Sequence, residues 1–169
     1  MPVRRRRIEA GYIRNFVFGV EDSLVSTVGL LSGIAIAGVG AQTILLTGMV
    51  LVFVEAFSMG VGSFLSEESA EEYLRKSDGI SRFPITAGAI MFTSYLIAGF
   101  VPLLPYAFLE PVFALWISVL LSLGALFLLG VGGAAASGTS RMRSGVRMFL
   151  LGGVAIVVGV TVGRVVNSG

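Results

Sequence analysis

The sequence contains no cysteine and no histidine, and only 13% of its 169 residues are charged. Without cysteine, disulfide bonds, thiolate metal sites and iron–sulfur clusters are excluded. Without histidine, imidazole metal ligands and histidine proton relays are excluded as well, which disfavours a haem or copper redox enzyme. We therefore predict no enzymatic activity, and any bound metal ion must be held by carboxylates, hydroxyls, carbonyls, water or thioether sulfur.

Hydrophobic residues make up 55% of the sequence, and the mean hydropathy is +0.92. Soluble domains carry about 25% charged residues, so this composition predicts an integral membrane protein. Five apolar segments are each near the length of a membrane-spanning helix: residues 16–38, 43–65, 84–106, 111–133 and 147–166. We predict an all-α membrane protein whose single five-helix transmembrane domain covers residues 16–166.

Basic residues are distributed unevenly between the segments. They occur in residues 1–15 and in the links 66–83 and 134–146, whereas the links 39–42 and 107–110 contain none. Because positively charged flanks stay in the cytoplasm, we predict a basic cytoplasmic N-terminus, a cytoplasmic acidic link between the second and third spans, and an external C-terminus. The first segment is too long for a signal peptide and contains two acids, which indicates an uncleaved span.

Proline and glycine suggest how the spans turn and pack. We expect Pro84 to open the third span, and Pro102, Pro105 and Pro111 to break the chain before the fourth. Small residues recur every fourth position in the first and fifth spans, a spacing that lets helices approach closely in lipid: Gly29, Gly33 and Ala37, then Gly159 and Gly163. This pattern is typical both of packing within one chain and of a dimer interface.

Two adjacent acids, Glu21 and Asp22, lie about a third of the way along the first segment. An ionisable group within a membrane span costs about 2.5–3.5 kcal/mol on insertion scales and indicates a functional site. Alternatively, the span begins after Asp22 and both acids lie at the interface, although the remaining apolar stretch is then short. We expect Asp22 to lie roughly 10 Å below the membrane surface, counting from Asn15.

The second span contains Glu55 near its middle and Met59 four residues later, on the same helix face. Counting back from Leu65 places Met59 at nearly the depth of Asp22, with Glu55 one turn deeper. The three side chains would form a ladder of metal ligands if the two antiparallel helices face each other. A mixture of carboxylate and thioether favours a transition metal such as ferrous iron or manganese over calcium or magnesium. The alternatives are a structural hydrogen bond for Glu55 and plain packing for Met59.

An acidic cluster follows the second span. Like charges four residues apart destabilise a helix, and a bound cation would relieve their repulsion. The same acids could instead pair with Arg75 and Lys76 on a solvated helix. In either case they would raise the local cation concentration at the inner mouth, and we include them among the candidate metal ligands: Glu67, Glu68, Glu71 and Glu72.

Four segments of the sequence resemble the vacuolar iron transporter family in the same order and together cover nearly the whole chain. The first two are the most specific: FGVEDSLVSTVGLLSGIAIAG and EAFSMGVGSFLSEESAEEY. FPITAGAIMFTSYLIAGFVPLLPY is similar to the third span and its outer turn, and RMFLLGGVAIVVGVTVGRVV to the last. The resemblance implies a five-helix homodimer with a pathway along the paired first spans. It also implies export of ferrous iron or manganese from the cytoplasm in exchange for protons.

Within this resemblance, Asp22 matches the membrane aspartate of the family and Met59 its membrane methionine. The chain departs from the family in three ways. The second-span glutamate usually lies two turns before the methionine, where this sequence has Leu51, whereas Glu55 lies one turn before it. Ser26-Thr27 replaces the proline found in eukaryotic members. The large cytoplasmic helical domain of those members is missing, so the chain resembles a short prokaryotic member.

The predicted function is proton-coupled transport of a divalent transition metal out of the cytoplasm, across a prokaryotic inner membrane. No cofactor is expected to stay bound, since the metal is cargo and protons are the coupling ions. The expected partners are membrane lipid, divalent metal ions and a second copy of the chain, without nucleic acid. Two alternatives remain open, namely a non-transporting membrane scaffold or metal-responsive module and a small cation channel.

Overall fold

A computed structural model of the protein describes residues 2–75 and 82–167. Within these ranges the chain forms five long α-helices and no strand: α1 (Pro2–Ile36), α2 (Ala41–Arg75), α3 (Arg82–Phe108), α4 (Pro111–Ser137) and α5 (Arg141–Asn167). All five are long and apolar enough to span a membrane. The prediction of an all-α membrane protein with five transmembrane helices is therefore confirmed.

The helices extend beyond the apolar segments at one end of the bundle. The basic residues 2–15 continue α1 outward, and the acidic cluster continues α2 without a break as far as Arg75. Helix propensity is high for arginine and glutamate, so a charged flank prolongs a spanning helix once it has left the apolar region. We call this the N-terminal end of the bundle, because it contains the first residues of α1. Residues 76–81 of the link 66–83 lie outside the described ranges.

Two prolines do not break the chain where the sequence predicted a turn. Pro102 and Pro105 lie inside α3, which continues to Phe108. Only Pro111 lies at the predicted connection, at the start of α4. A proline within a spanning helix is tolerated where neighbouring helices and local adjustments compensate for the backbone groups that it frees. Both prolines are buried, and the hydroxyl of Ser118 on α4 donates to the carbonyl of Pro102 at 2.7 Å, which ties α4 to α3 at this level. Burial between neighbouring helices therefore accommodates a sequence that alone would suggest a break.

Helix α1 packs against all four other helices, and α3 joins α1 to α2. Helix α3 packs extensively against both α2 and α1, and less extensively against α4, while α1 and α2 contact each other only sparsely. Two buried apolar clusters hold these helices together: Leu31, Ile44, Leu103, Tyr106 and Ala114, and then Leu24, Ala98 and Leu126. Any site shared by α1 and α2 therefore has α3 as its third wall.

The small-residue stripes of α1 and α5 pack against each other within one chain. A Cβ atom added to Gly33 would lie 2.6 Å from the carbonyl oxygen of Gly159, and one added to Gly163 would overlap the backbone of Gly33. Of the two roles predicted for the stripes, the structure shows intrachain packing. Gly29 and Gly33 are therefore not free to form the dimer interface along the first spans that the sequence suggested.

Candidate functional site

Asp22 on α1 and Glu55 on α2 are both half-buried in the interior of the apolar helices. Their carboxylates are close enough to interact electrostatically, although α1 and α2 have few direct contacts. Among the described residues, no basic side chain forms an ion pair with either acid. The structure therefore places these two predicted residues together as an acid pair without a countercharge.

Tyr95 of α3 belongs to the same group of polar side chains, although the sequence analysis did not identify it. Its side chain is fully buried, its hydroxyl lies 2.8 Å from the hydroxyl oxygen of Ser26, and it interacts electrostatically with both acids. Ser23 donates a hydrogen bond of 2.7 Å to the Tyr95 carbonyl, which ties α1 to α3 at this level. The signal in the sequence was a tyrosine in the middle of an apolar span, far from the membrane interfaces where tyrosine is common.

The register between α1 and α2 sets the order of the ligands. Asn15 accepts a hydrogen bond of 2.7 Å from Ser63, and counting two turns along each antiparallel helix brings Asp22 opposite Ala56. Asp22 thus lies between the levels of Glu55 and Met59, whereas the sequence placed it level with Met59. The count from the sequence assumed that Asn15 and Leu65 lie at the same height, and the hydrogen bond instead shifts α2 by about two residues.

Met59 lines a cavity of about 460 Å³ at the N-terminal end of the bundle. The cavity lies between α1, α2 and α3, and its walls combine apolar, thioether and polar side chains: Arg14, Asn15, Phe18, Met59, Gly62, Ser63, Ser66, Glu67 and Met91. Met59 is one turn from Glu55, so the cavity lies about one helical turn from the acid pair. Its volume is large enough for a small hydrated ion.

A hydrogen-bonded polar group forms one wall of this cavity. Asn15 is only 4% exposed, and its amide nitrogen donates to the Gly11 carbonyl at 2.9 Å and to a Glu67 carboxylate oxygen at 3.3 Å. The same Glu67 oxygen accepts a hydrogen bond from Arg14 within an ion pair. Sequence reasoning used Arg14 only for topology and Asn15 only as a reference level, since neither residue type marks a cation site.

The four glutamates of the acidic cluster differ in their surroundings. The Glu67 side chain is 12% exposed and paired with Arg14, whereas Glu68 and Glu71 are half-buried and Glu72 is exposed. The predicted alternative partner Lys76 lies outside the described residues, as does the side chain of Arg75. The cluster is therefore not four equivalent ligands, because Glu67 belongs to the cavity wall.

The candidate ligands do not converge on one point within a single chain. In the ranges 2–75 and 82–167, no group of three or more acidic side chains is close enough to hold one metal ion. Two carboxylates and a thioether along a path can bind a divalent cation in steps. They do not complete a closed coordination sphere without water or further donors.

The family model and the known relatives both match nearly the whole chain. A sequence model of the VIT family matches residues 13–81 and 74–164. The protein named vacuolar iron transporter 1 from Arabidopsis thaliana is 24% identical over 92% of this chain and 86% of its own length. Vacuolar iron transporter homolog 2 from Oryza sativa subsp. japonica is 27% identical over 88% and 87% of the two chains.

A third relative, vacuolar iron transporter homolog 2 from Arabidopsis thaliana, is 29% identical over 87% of this chain and 80% of its own length. The matches include all five helices, and only a short link separates α2 from α3. It is an integral membrane protein. The chain belongs to the VIT family, whose members are transporters and not enzymes.

Proposed function

We propose that the chain is a proton-coupled transporter of a divalent transition metal, ferrous iron, manganese or both, out of the cytoplasm. The single observation that carries the proposal is the Asp22–Glu55 acid pair, which has no basic partner among the described residues and lies within helices that span the membrane. Charged side chains inside a membrane are costly and are retained for transport or proton transfer. The names of the relatives, which specify iron, support metal as the cargo.

In this proposal the ion enters through the cavity at the N-terminal end. The Glu67 carboxylate on its wall is partly neutralised by Arg14, so the cavity attracts cations only weakly. Met59 then offers a thioether, which favours transition metals over magnesium and calcium. The acid pair supplies the oxygen ligands one turn farther along α2. The affinity for the metal ion thus increases along the path, since two carboxylates act together only at the acid pair.

Exchange for protons follows from the charge of the site. A divalent cation neutralises two carboxylates, and its departure leaves two like charges in a medium of low dielectric constant. Uncompensated charge in such surroundings is very costly. Protons that bind as the metal leaves remove this cost, so Asp22 and Glu55 carry metal and protons alternately.

The proposed orientation and assembly have the N-terminal end in the cytoplasm of a prokaryotic cell and two copies of the chain in the inner membrane. The positive charges at this end favour the orientation. Two observations support the dimer. Asp22 and Glu55 are only half-buried within one chain, and the described residues of one chain contain no group of three acids that could hold a metal ion. A second copy would cover the acids and supply further donors. It must dock on a face other than the α1 stripe, which α5 already covers.

The proposal is tested with purified protein in liposomes. Fe²⁺ or Mn²⁺ uptake is measured by quenching of an enclosed dye, with and without an imposed pH gradient, while a second dye follows internal pH. We expect metal uptake to be accelerated by the gradient and accompanied by opposite proton movement. Metal flux without proton movement would indicate a channel. If neither metal nor protons move, the protein is a scaffold or metal-responsive module.

A further inference from the structure

The cavity contains a second methionine that sequence analysis did not single out. Met91 of α3 lines the same cavity as Met59 of α2, and its side chain is only 3% exposed. The cavity therefore presents a thioether from each of two helices that pack closely together. These helices approach each other closely at Gly60 and Gly88, where a Cβ atom on Gly88 would lie 2.8 Å from the Gly60 carbonyl oxygen.

Gly19 leaves room on α1 for the sulfur of Met91. A Cβ atom at position 19 would be 3.1 Å from Met91 Sδ and would overlap the hydroxyl of Ser94. Gly19 directly follows Phe18, which lines the cavity, and precedes Asp22 by three residues, or about 4.5 Å along the helix axis. The Met91 sulfur thus lies on the α1 side of α3, between the cavity and the acid pair.

The residue one turn farther along α3 continues this line. Tyr95 is at i+4 from Met91, so the two share a helix face. The Tyr95 hydroxyl reaches the level of the acid pair, with which it interacts electrostatically. One face of α3 therefore runs from the cavity to the acids, with a thioether first and a hydroxyl second.

We propose that Met91 is a specificity-determining residue, which offers the passing metal ion a second thioether between the cavity and the acid pair. This inference rests on the proposed transport function and concerns how the same site selects its cargo. Thioether sulfur binds softer ions and gives little to magnesium or calcium. With sulfur on both α2 and α3, soft and borderline ions gain a ligand on two sides of the path, and hard ions gain none. The competing role for a buried methionine is to fill space in the core.

The test compares Met91→Leu with Met148→Leu. Both substitutions conserve side-chain volume, so folding should be retained and is checked by thermal unfolding in detergent. Met148 is the matched control, because it packs against the Leu24–Leu126 cluster and does not line the cavity. Binding of Co²⁺ and of Mg²⁺ to the purified proteins is measured by titration calorimetry. We expect Met91→Leu to lower the preference for Co²⁺ over Mg²⁺ several-fold, with Mg²⁺ binding and the Met148 control unchanged.

A double variant tests whether both sulfurs meet the same ion. If they do, the losses of Co²⁺ affinity in Met59→Leu and Met91→Leu should be non-additive in the combined protein. A Met91→Leu protein that keeps the wild-type ion preference while wild-type protein still exchanges metal for protons would overturn this inference alone. A wild-type protein that neither binds Co²⁺ nor transports metal would overturn it together with the proposed function.

Discussion

Asp22 and Glu55 differ from the other acids of the chain because they interact with each other inside membrane-spanning helices. We predict that Asp22→Asn and Glu55→Gln each abolish metal-driven proton movement in liposomes, because each removes one of the two charges that a divalent ion must neutralise. The amide variants keep side-chain size, so the proteins should still insert and purify as wild type does. Glu21→Gln is the control, as an adjacent acid outside the proposed site. Normal exchange in either amide variant would contradict the assignment.

Met59 is the candidate ligand whose role is least evident from its residue type, since buried methionine is common in cores. Met59→Leu keeps the volume and removes the sulfur. We predict a loss of preference for iron, cobalt or manganese over calcium, measured as competition by Ca²⁺ against metal uptake. If Ca²⁺ competes no better in the variant than in wild type, Met59 contributes packing only.

The hydroxyl of Tyr95 is hydrogen-bonded to Ser26 and lies near enough to the acid pair to interact with it electrostatically. We predict that Tyr95→Phe slows metal transport by about 2- to 10-fold, the effect of losing a hydrogen bond worth about 0.5–1.5 kcal/mol. Tyr106→Phe is a matched control, because Tyr106 is also almost fully buried in α3 but packs in the cluster with Leu31 and Leu103. Equal transport rates in the two variants would show that Tyr95 serves the fold and not the site.

At the scale of helices, the contact between α1 and α5 depends on glycine. A side chain at Gly33 would meet the Gly159 carbonyl at 2.6 Å, whereas one at Gly153 would meet nothing within 4 Å. We predict that Gly33→Ala lowers the free energy of unfolding by about 1–3 kcal/mol, as overpacking does. Gly153→Ala should leave it unchanged or raise it by up to about 1 kcal/mol through helix propensity. Thermal unfolding in detergent distinguishes them, and equal stability of both variants would contradict the packing described.

At the scale of the whole molecule, the acidic cluster at the end of α2 is expected to attract cations to the N-terminal end of the bundle. Glu67 lines the cavity and is paired with Arg14. The test therefore neutralises only the other three acids, in the variant Glu68→Gln/Glu71→Gln/Glu72→Gln. We predict a higher apparent KM for metal with little change in maximal rate. The effect should fade in salt, since the screening length is about 10 Å at 0.1 M. Uptake measured at low and high salt checks both points. An unchanged KM at low salt would mean that these acids only form a solvated helix face.

Several properties of the protein could be predicted from the sequence because they depend on local composition. Apolar segments of spanning length predict five helices in any fold, and a carboxylate within such a segment is necessarily at membrane depth. For this reason the helix count and the shared face of Glu55 and Met59 did not require a structure. The family resemblance was likewise carried by short local motifs.

The tertiary structure decided which helix surfaces meet, since five equally apolar helices offer many pairings and only shape and hydrogen bonds discriminate between them. Burial among neighbouring helices accommodates Pro102 and Pro105 inside α3, and backbone contact with α5 occupies the small-residue stripe at Gly33. Helix α3 packs against both α1 and α2, which brings Met91 and Tyr95 to the candidate site that the sequence assigned to α1 and α2 alone. These residues were not predicted because their importance comes from contacts with residues distant in the chain. Helical periodicity and spacing do not reveal such contacts.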